Sequence, residues 1–182
     1  MGLTTPEDYV IRLDGSAAEA ENTTIWGSTA PTSQYIYMDT GSWGTSVNMY
    51  VECYRSIPGF SSFGKYEGNG DADGPFVHLD FTPALVVVIN IDADDAGWIN
   101  AGYTTNWNVQ DTYFYWDAAD PDASYQTNLS QPMMDIVSNG FKLLNTYKLL
   151  NSSETFIYCA WAENPFGGHG GTFGDGVAPA TA

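Results

Sequence analysis

The segment Ala84–Ile91 constrains the fold of this chain more than any other part of the sequence. It reads ALVVVINI, so apolar residues occupy positions that would face both sides of a strand. A short run that is apolar on both faces is typical of a strand buried inside a sheet. We therefore expect Ala84–Ile91 to be a central strand with structure packed against each face.

Two further segments show the alternation of apolar and polar positions that a half-buried strand requires. Ser46–Arg55 has its apolar residues at every second position, and Thr155–Trp161 has a similar pattern. The helical signal is weak, because Leu143–Leu150 has helical spacing over a segment too short to decide between helix and strand. Shorter candidate strands are Gln34–Met38, Phe76–Phe81, Asp111–Trp116 and Asn139–Leu143.

The composition agrees with an all-β chain of one domain. The 182 residues include 6 Trp, 12 Tyr and 9 Phe, which favour pleated surfaces, and 19 Gly and 9 Pro, which separate short strands. A chain of this length fits a single domain. We predict an N-terminal arm over residues 1–23, a folded domain over residues 24–166 and a Gly/Ala/Pro-rich tail over residues 167–182.

The charge of the chain excludes several classes of partner. There are 5 Lys and Arg against 22 Asp and Glu, which gives a net charge of −17 at pH 7. Proteins that bind nucleic acid neutralise phosphates with clustered basic residues, and anionic membrane surfaces attract basic segments. We therefore expect neither nucleic acid nor membrane as a partner. The apolar fraction of 43% also excludes a disordered acidic chain.

The two cysteines, Cys53 and Cys159, do not have the spacing of a metal site or of a disulfide framework. Both lie in alternating apolar stretches, so we interpret them as free thiols that act as small core residues. We expect no signal peptide, since no charged segment precedes an apolar one. The longest apolar run, Ala84–Ile89, is far shorter than the roughly 18–20 residues of a membrane helix.

One loop has the residue pattern of a cation site. Asn69, Asp71 and Asp73 alternate before Gly74, as oxygen ligands do in the first half of a calcium-binding loop, and Asp80 stands at the twelfth position. The alternative is a metal-free turn built on Asn-Gly and Asp-Gly. We predict no cofactor, with calcium at this loop as the open alternative.

The same region resembles a module of tail fibres and other virion-surface proteins of tailed phages. That module reads "FG.Y.GNG..DGPF", followed by "F.PA" and an apolar run, and ends in segments similar to "DF.SNGFKL" and "TYIYMAFAENPF". The first part matches here at Phe63, Gly64, Tyr66, Gly68, Asn69, Gly70, Asp73, Gly74, Pro75, Phe76, Phe81, Pro83 and Ala84. The later segments match at Asp135, Ile136, residues 138–143, Thr155, Ile157, Tyr158, Ala160 and residues 162–166.

The resemblance implies an antiparallel β-sandwich of jelly-roll or lectin-like character on the outside of a virion, and it implies no catalytic site. This chain departs from the pattern at residues 90–95, which are acidic where the module usually has Lys or Arg. The chain has only about 23 residues before the module, whereas long fibres have many more. The length therefore favours a small head-decoration or tail-accessory protein.

Aromatic and polar residues in the centre of the chain form the other candidate site. Aromatic rings stack on sugar faces, while carboxylates and amides bond sugar hydroxyls. These residues can equally belong to the core or to a subunit interface, where aromatics are also enriched. The glycan-binding candidates are Trp98, Tyr103, Trp107, Tyr113, Trp116 and Asp111.

The sequence therefore predicts a non-catalytic structural protein of a virion surface, made in the bacterial host cytoplasm. Its expected partners are the major capsid or tail protein and further copies of itself in a symmetric oligomer. The alternative is an adhesin or tail-fibre tip that binds a host-surface glycan. A glycan-degrading enzyme is a remote alternative, because such enzymes need only two well-placed carboxylates.

Overall fold

A computed structural model of the chain describes residues 5, 7–11, 18–39, 48, 50–93, 99–100, 108–110, 114–115 and 132–165. The strands in these residues are β1 (Tyr9–Val10), β2 (Ala20–Glu21), β3 (Ser61–Glu67), β4 (Phe76–His78), β5 (Pro83–Asn90), β6 (Ile99–Asn100), β7 (Phe114–Tyr115), β8 (Met134–Val137), β9 (Gly140–Leu143) and β10 (Thr155–Ala162). One short helix, α1 (Lys148–Asn151), precedes β10.

The strands form three sheets, and every described pair is antiparallel. The largest sheet has the order β3-β10-β5-β6-β7, the second has the order β4-β9-β8, and β1 pairs with β2. Strand β5 contains most of the segment Ala84–Ile91 and lies between β10 and β6. The prediction of a central strand is therefore confirmed, and the strand predicted at Thr155–Trp161 corresponds to β10.

The two larger sheets pack face to face through one apolar core. Phe141 of β9 meets Tyr66 of β3 and Tyr158 of β10, with ring centroids 6.2 and 5.8 Å apart. Phe156 of β10 is fully buried in the same cluster. Successive side chains of a strand point to opposite faces, so the alternation along β10 places Phe156 and Tyr158 together on the inner face of the sheet. The expected all-β antiparallel sandwich is confirmed.

The outer face of the five-stranded sheet has a smaller apolar cluster. Val87, Ile89, Ile91 and Ile157 are buried there, and Ile11 of the N-terminal arm packs against them. The N–H of Glu19 donates to the carbonyl of Ile91 at 3.0 Å. This double coverage explains why β5 is apolar on both faces.

The prediction of a strand at Ser46–Arg55 is wrong for the residues that the structure describes. Residues 50–55 are exposed and belong to no strand. Just after this segment, Ile57 forms an isolated antiparallel bridge with Ser61, the first residue of β3. Beyond it, the N–H of Phe63 donates to the Ser56 hydroxyl at 3.0 Å. A side chain thus occupies the position where a paired strand would supply a backbone carbonyl.

Other local predictions also need correction. Cys53 is exposed rather than part of the core, because residues 50–55 form no strand that would turn its side chain inward. Cys159 is half-buried, and burial raises the pKa of its thiol to about 11. Residues 34–38 are not a strand. The strand predicted over Phe76–Phe81 ends at His78, since Asp80 adopts a left-handed backbone conformation with φ of 64°.

Strand β3 was not predicted, because Gly64 and two serines weaken its apolar pattern. Gly64 is needed there for space, since a Cβ at this position would lie 2.7 Å from the Tyr158 hydroxyl oxygen. The ambiguous segment Leu143–Leu150 is divided between the end of β9 and the start of α1. Among the helices of the described residues, none has the length and apolar character needed to cross a membrane.

Candidate functional site

The predicted cation loop connects β3 to β4 and is stabilised by its own side chains. Asn69 Oδ1 accepts the N–H of Asp71 at 3.0 Å, and Asp71 Oδ1 accepts the N–H of Asp73 at 2.9 Å. The Asn69 amide group donates to the carbonyl of Asp73 at 2.9 Å. Short polar side chains favour turns by bonding the backbone two residues on, and this loop does so twice.

Asn151 at the end of α1 holds this loop against the sandwich. Its side chain is fully buried. Its Oδ1 accepts the N–H of Asn69 at 2.9 Å, and its Nδ2 donates to Asn69 Oδ1 at 3.0 Å and to the carbonyl of Asp71 at 2.8 Å. Nδ2 also lies 2.7 Å from the carbonyl of Asn145. One buried amide therefore bonds both the loop and the turn before α1, and its own polar atoms are satisfied.

The close approach of this loop to α1 explains several residues of the segment that resembles the virion-surface module. A Cβ at Gly68 would lie 1.9 Å from the Ser152 carbonyl oxygen, so only glycine fits there. The Tyr66 hydroxyl donates to the carbonyl of Leu150 at 2.7 Å from a buried position. The tyrosine, glycine and asparagine of the motif thus act in folding the loop onto the helix.

Asp73, the third predicted ligand, is paired with a lysine. Lys142 Nζ lies 2.7 Å from Asp73 Oδ1 and donates to the carbonyl of Gly74 at 2.7 Å. The hydrogen bond from Lys142 and its positive charge lower the pKa of the Asp73 carboxyl below its ordinary value. One side-chain oxygen of each of the three predicted ligands therefore accepts a bond from a protein donor.

Replacing Lys142 with methionine is expected to raise the pKa of Asp73 towards the ordinary aspartate value. The depressed pKa stabilises the fold above the unfolded pKa of about 3.9, and this contribution is lost as the pH falls through the folded pKa. A carbon-13 titration of the Asp73 carboxyl measures the change. Lys65→Met is the matched control, because Lys65 is an exposed lysine on β3. An equal change in both variants would show that net charge, not this pair, sets the pKa.

Asp80, the fourth predicted ligand, lies beyond the other end of β4. Its carboxylate Oδ1 is 3.3 Å from His78 Nε2. In the described part of the chain, no group of three or more His, Cys, Asp or Glu residues is arranged to hold a metal ion. The structure brings Asn69, Asp71 and Asp73 together in one loop, and calcium binding there stays a prediction.

The predicted glycan-binding residues all lie outside the described residues. They are Trp98, Tyr103, Trp107, Tyr113, Trp116 and Asp111. A glycan platform at these positions therefore stays a prediction.

Exposed apolar side chains are concentrated in two segments that sequence reasoning assigned to strands. Residues 35–37 read YIY and are all exposed. In residues 50–54, Tyr50 is 87% exposed, and Val51 and Tyr54 are also exposed. Isolated exposed apolar residues are ordinary, but groups of them mark surfaces that bind other macromolecules. The strand-like alternation of Ser46–Arg55 is the available sequence signal for this surface, but by itself it predicts a half-buried strand.

The 50–54 segment reaches the sandwich through one aromatic cluster. The Tyr54 ring lies 5.9 Å from Phe63 and 6.2 Å from Trp161, and the last two rings meet edge to face at 5.4 Å. The Tyr54 hydroxyl also donates to the Glu52 carboxylate. These contacts hold Tyr54 in place while more than half of it faces solvent.

Comparisons with known proteins give a family but no assigned activity. A family model described as a domain of unknown function matches residues 1–165. No curated protein and no solved structure matches the chain. The match covers every residue that the structure describes, including the loop at Asn69 and the segment at Tyr50.

Proposed function

The chain belongs to the DUF7483 family, a domain of unknown function, and we propose that it is a non-catalytic structural protein of the surface of a tailed-phage virion. Its role is to decorate or cement the head, or to act as a tail accessory. The resemblance of its loop and strand motifs to virion-surface modules supports this proposal. Its partners are the major capsid or tail protein and further copies of this chain, and its location is the virion surface.

The single observation that carries the proposal is the exposed aromatic segment at residues 50–54. Its alternating pattern is that of a strand, yet it has no strand partner among the described residues and exposes Tyr50, Val51 and Tyr54. Aromatic side chains are enriched in protein interfaces, where they supply most of the buried apolar area. Assembly supplies the partner that the described residues of the protomer do not supply.

The polar residues of the described loops favour a structural role over catalysis. Asn69, Asp71, Asp73 and Lys142 bond one another or the backbone, and Asn151 is fully buried. A catalytic constellation instead presents perturbed titratable groups to a cleft. The net charge of −17 keeps assembled particles apart in solution.

The proposal predicts that the exposed tyrosines drive assembly. The double substitution of Tyr50 and Tyr54 by serine is expected to leave the protomer folded, because both side chains are mainly exposed. It is expected to abolish self-association and binding to particles. Sedimentation of the purified chain, alone and mixed with empty phage heads or tails, measures both effects against the protomer mass of 19.8 kDa.

The double substitution of the same tyrosines by phenylalanine is the matched control, since it keeps the rings and removes only the hydroxyls. It is expected to assemble as the natural chain does. The proposal is wrong if the natural chain stays monomeric and binds neither heads nor tails. It is also wrong if the serine variant assembles normally.

A further inference from the structure

A small depression lies at the edge of the sandwich, away from the predicted cation loop. Three chain segments line it: Gly59 in the turn before β3, residues 80–82 between β4 and β5, and Asn164 after β10. Its volume is about 220 Å³. Pockets for drug-sized ligands hold about 300–1,000 Å³, so this depression suits one small ring.

Backbone hydrogen bonds hold these segments in place. The N–H of Ala162 donates to the carbonyl of Phe60, and the N–H of Glu163 donates to the carbonyl of Thr82, both at 2.8 Å. Gly59 has a φ of 71°, in a turn closed by the N–H of Phe60 and the carbonyl of Ile57 at 3.0 Å. A site that is already formed binds its ligand with a smaller entropic cost.

The polar groups of the depression have a defined hydrogen-bonding character. The Asp80 carboxylate has about four acceptor sites, and its Oδ1 lies 3.3 Å from His78 Nε2. The Thr82 hydroxyl donates to the carbonyl of Ser138 at 3.2 Å, so its lone pairs remain to accept. The Asn164 amide both donates and accepts. Phe81 is only 8% exposed, so it adds a small apolar contact.

We propose that this depression binds one neutral sugar ring, such as the terminal residue of a glycan. Sugar hydroxyls donate to Asp80 and accept from Asn164, and Phe81 adds only a minor apolar contact. Bonds to a carboxylate are stronger than bonds between neutral groups, which makes Asp80 the principal contact. This binding activity goes beyond the structural role proposed above and does not rest on it.

Other ligand classes fit this lining less well. An anion would meet the Asp80 carboxylate on a chain of net charge −17. A calcium ion takes six to eight oxygen ligands, often from several carboxylates, whereas the lining contains one carboxylate. A primary ammonium group would pair with Asp80 but would leave Thr82 and Asn164 largely unused. A polyol uses the carboxylate, the hydroxyl and the amide together.

The test follows backbone amide resonances of the full chain during titration with methyl glycosides of glucose, galactose, mannose and N-acetylglucosamine. At least one glycoside is expected to shift the resonances of Gly59, Asp80, Thr82 and Asn164, with a Kd on the order of 1 mM. Asp80→Asn is expected to weaken binding at least about tenfold, because it removes the charge that strengthens the bond. Asparagine tolerates the left-handed backbone conformation, so this variant keeps the fold.

Glu163→Gln is the matched control, because it removes the same charge from an exposed side chain that does not line the depression. It is expected to bind as the natural chain does, while Asn164→Ala weakens binding without touching Asp80. The proposal is overturned if no glycoside shifts these resonances, or if Asp80→Asn binds normally. It is also overturned if methylammonium or calcium shifts them and the glycosides do not.

Discussion

Replacing Phe156 with alanine is expected to lower the free energy of unfolding by about 3–5 kcal/mol. Phe156 is fully buried in β10, the strand that lies between β3 and β5. Its ring stacks on Tyr66, with centroids 5.1 Å apart and planes 8° apart. The substitution removes these contacts and leaves a cavity between two sheets that cannot fully close around it. Thermal unfolding should show a midpoint about 10 °C lower.

Phe76→Ala is the matched control for this prediction. It deletes the same atoms from a strand residue that is 45% exposed. We expect it to cost less than about 1 kcal/mol, because little apolar surface is returned to water. Equal losses in the two variants would contradict the core described here, since they would mean that the inner face of β10 is no more buried than the exposed face of β4.

Replacing Asn151 with alanine is expected to lower the free energy of unfolding by about 3 kcal/mol, from the loss of several hydrogen bonds at about 1 kcal/mol each. The side chain is fully buried, and its removal leaves the N–H of Asn69 and the carbonyls of Asp71 and Asn145 without this partner. Denaturant unfolding measures the loss. Hydrogen exchange of the Asn69 backbone N–H provides a local measurement, and the exchange should become faster.

Asn164→Ala is the matched control here, because Asn164 is exposed. It is expected to change the free energy of unfolding by less than about 0.5 kcal/mol. If Asn151→Ala has an equally small effect and the Asn69 backbone N–H stays protected from exchange, then the Asn151 side chain does not hold the loop. The loop residues would in that case hold their conformation alone.

The central strands of this fold could be predicted from the sequence because their pattern reports burial directly. The segment Ala84–Ile91 is apolar on both faces, and its residues contribute to an apolar cluster on each side of the sheet. The alternation over residues 155–161 separates Phe156 and Tyr158 on the inner face from Ile157 and Cys159 on the outer face. Such patterns depend only on which side chains avoid water, so one segment is enough to reveal them.

The segment Ser46–Arg55 shows where that reasoning fails. Its alternation is as regular as that of β10, yet residues 50–55 are exposed. Periodicity tells which residues share a face, but it does not identify a partner strand. The pairing ends after the bridge between Ile57 and Ser61, because the Ser56 side chain takes the N–H of Phe63. That competition depends on the three-dimensional approach of the two segments.

The candidate sites were predictable only where they are local. The loop at Asn69 was recognised because its turn-forming residues are consecutive, but its anchor Asn151 lies 82 residues further along the chain. The depression at Asp80 combines Gly59 and Asn164 from segments that no spacing rule connects. Neither Gly59 nor Asn164 stood out in the sequence as a ligand-binding residue.

The sequence by itself determined the all-β class, the central strand, the acidic charge and the turn at Asn69, since each depends on composition or on neighbours along the chain. Tertiary structure alone decided which oxygens of that turn accept protein hydrogen bonds, which strand-like segment has no partner among the described residues, and where the depression forms. Those outcomes depend on hydrogen bonds and contacts between residues that are far apart in the chain. Only folding brings such residues together.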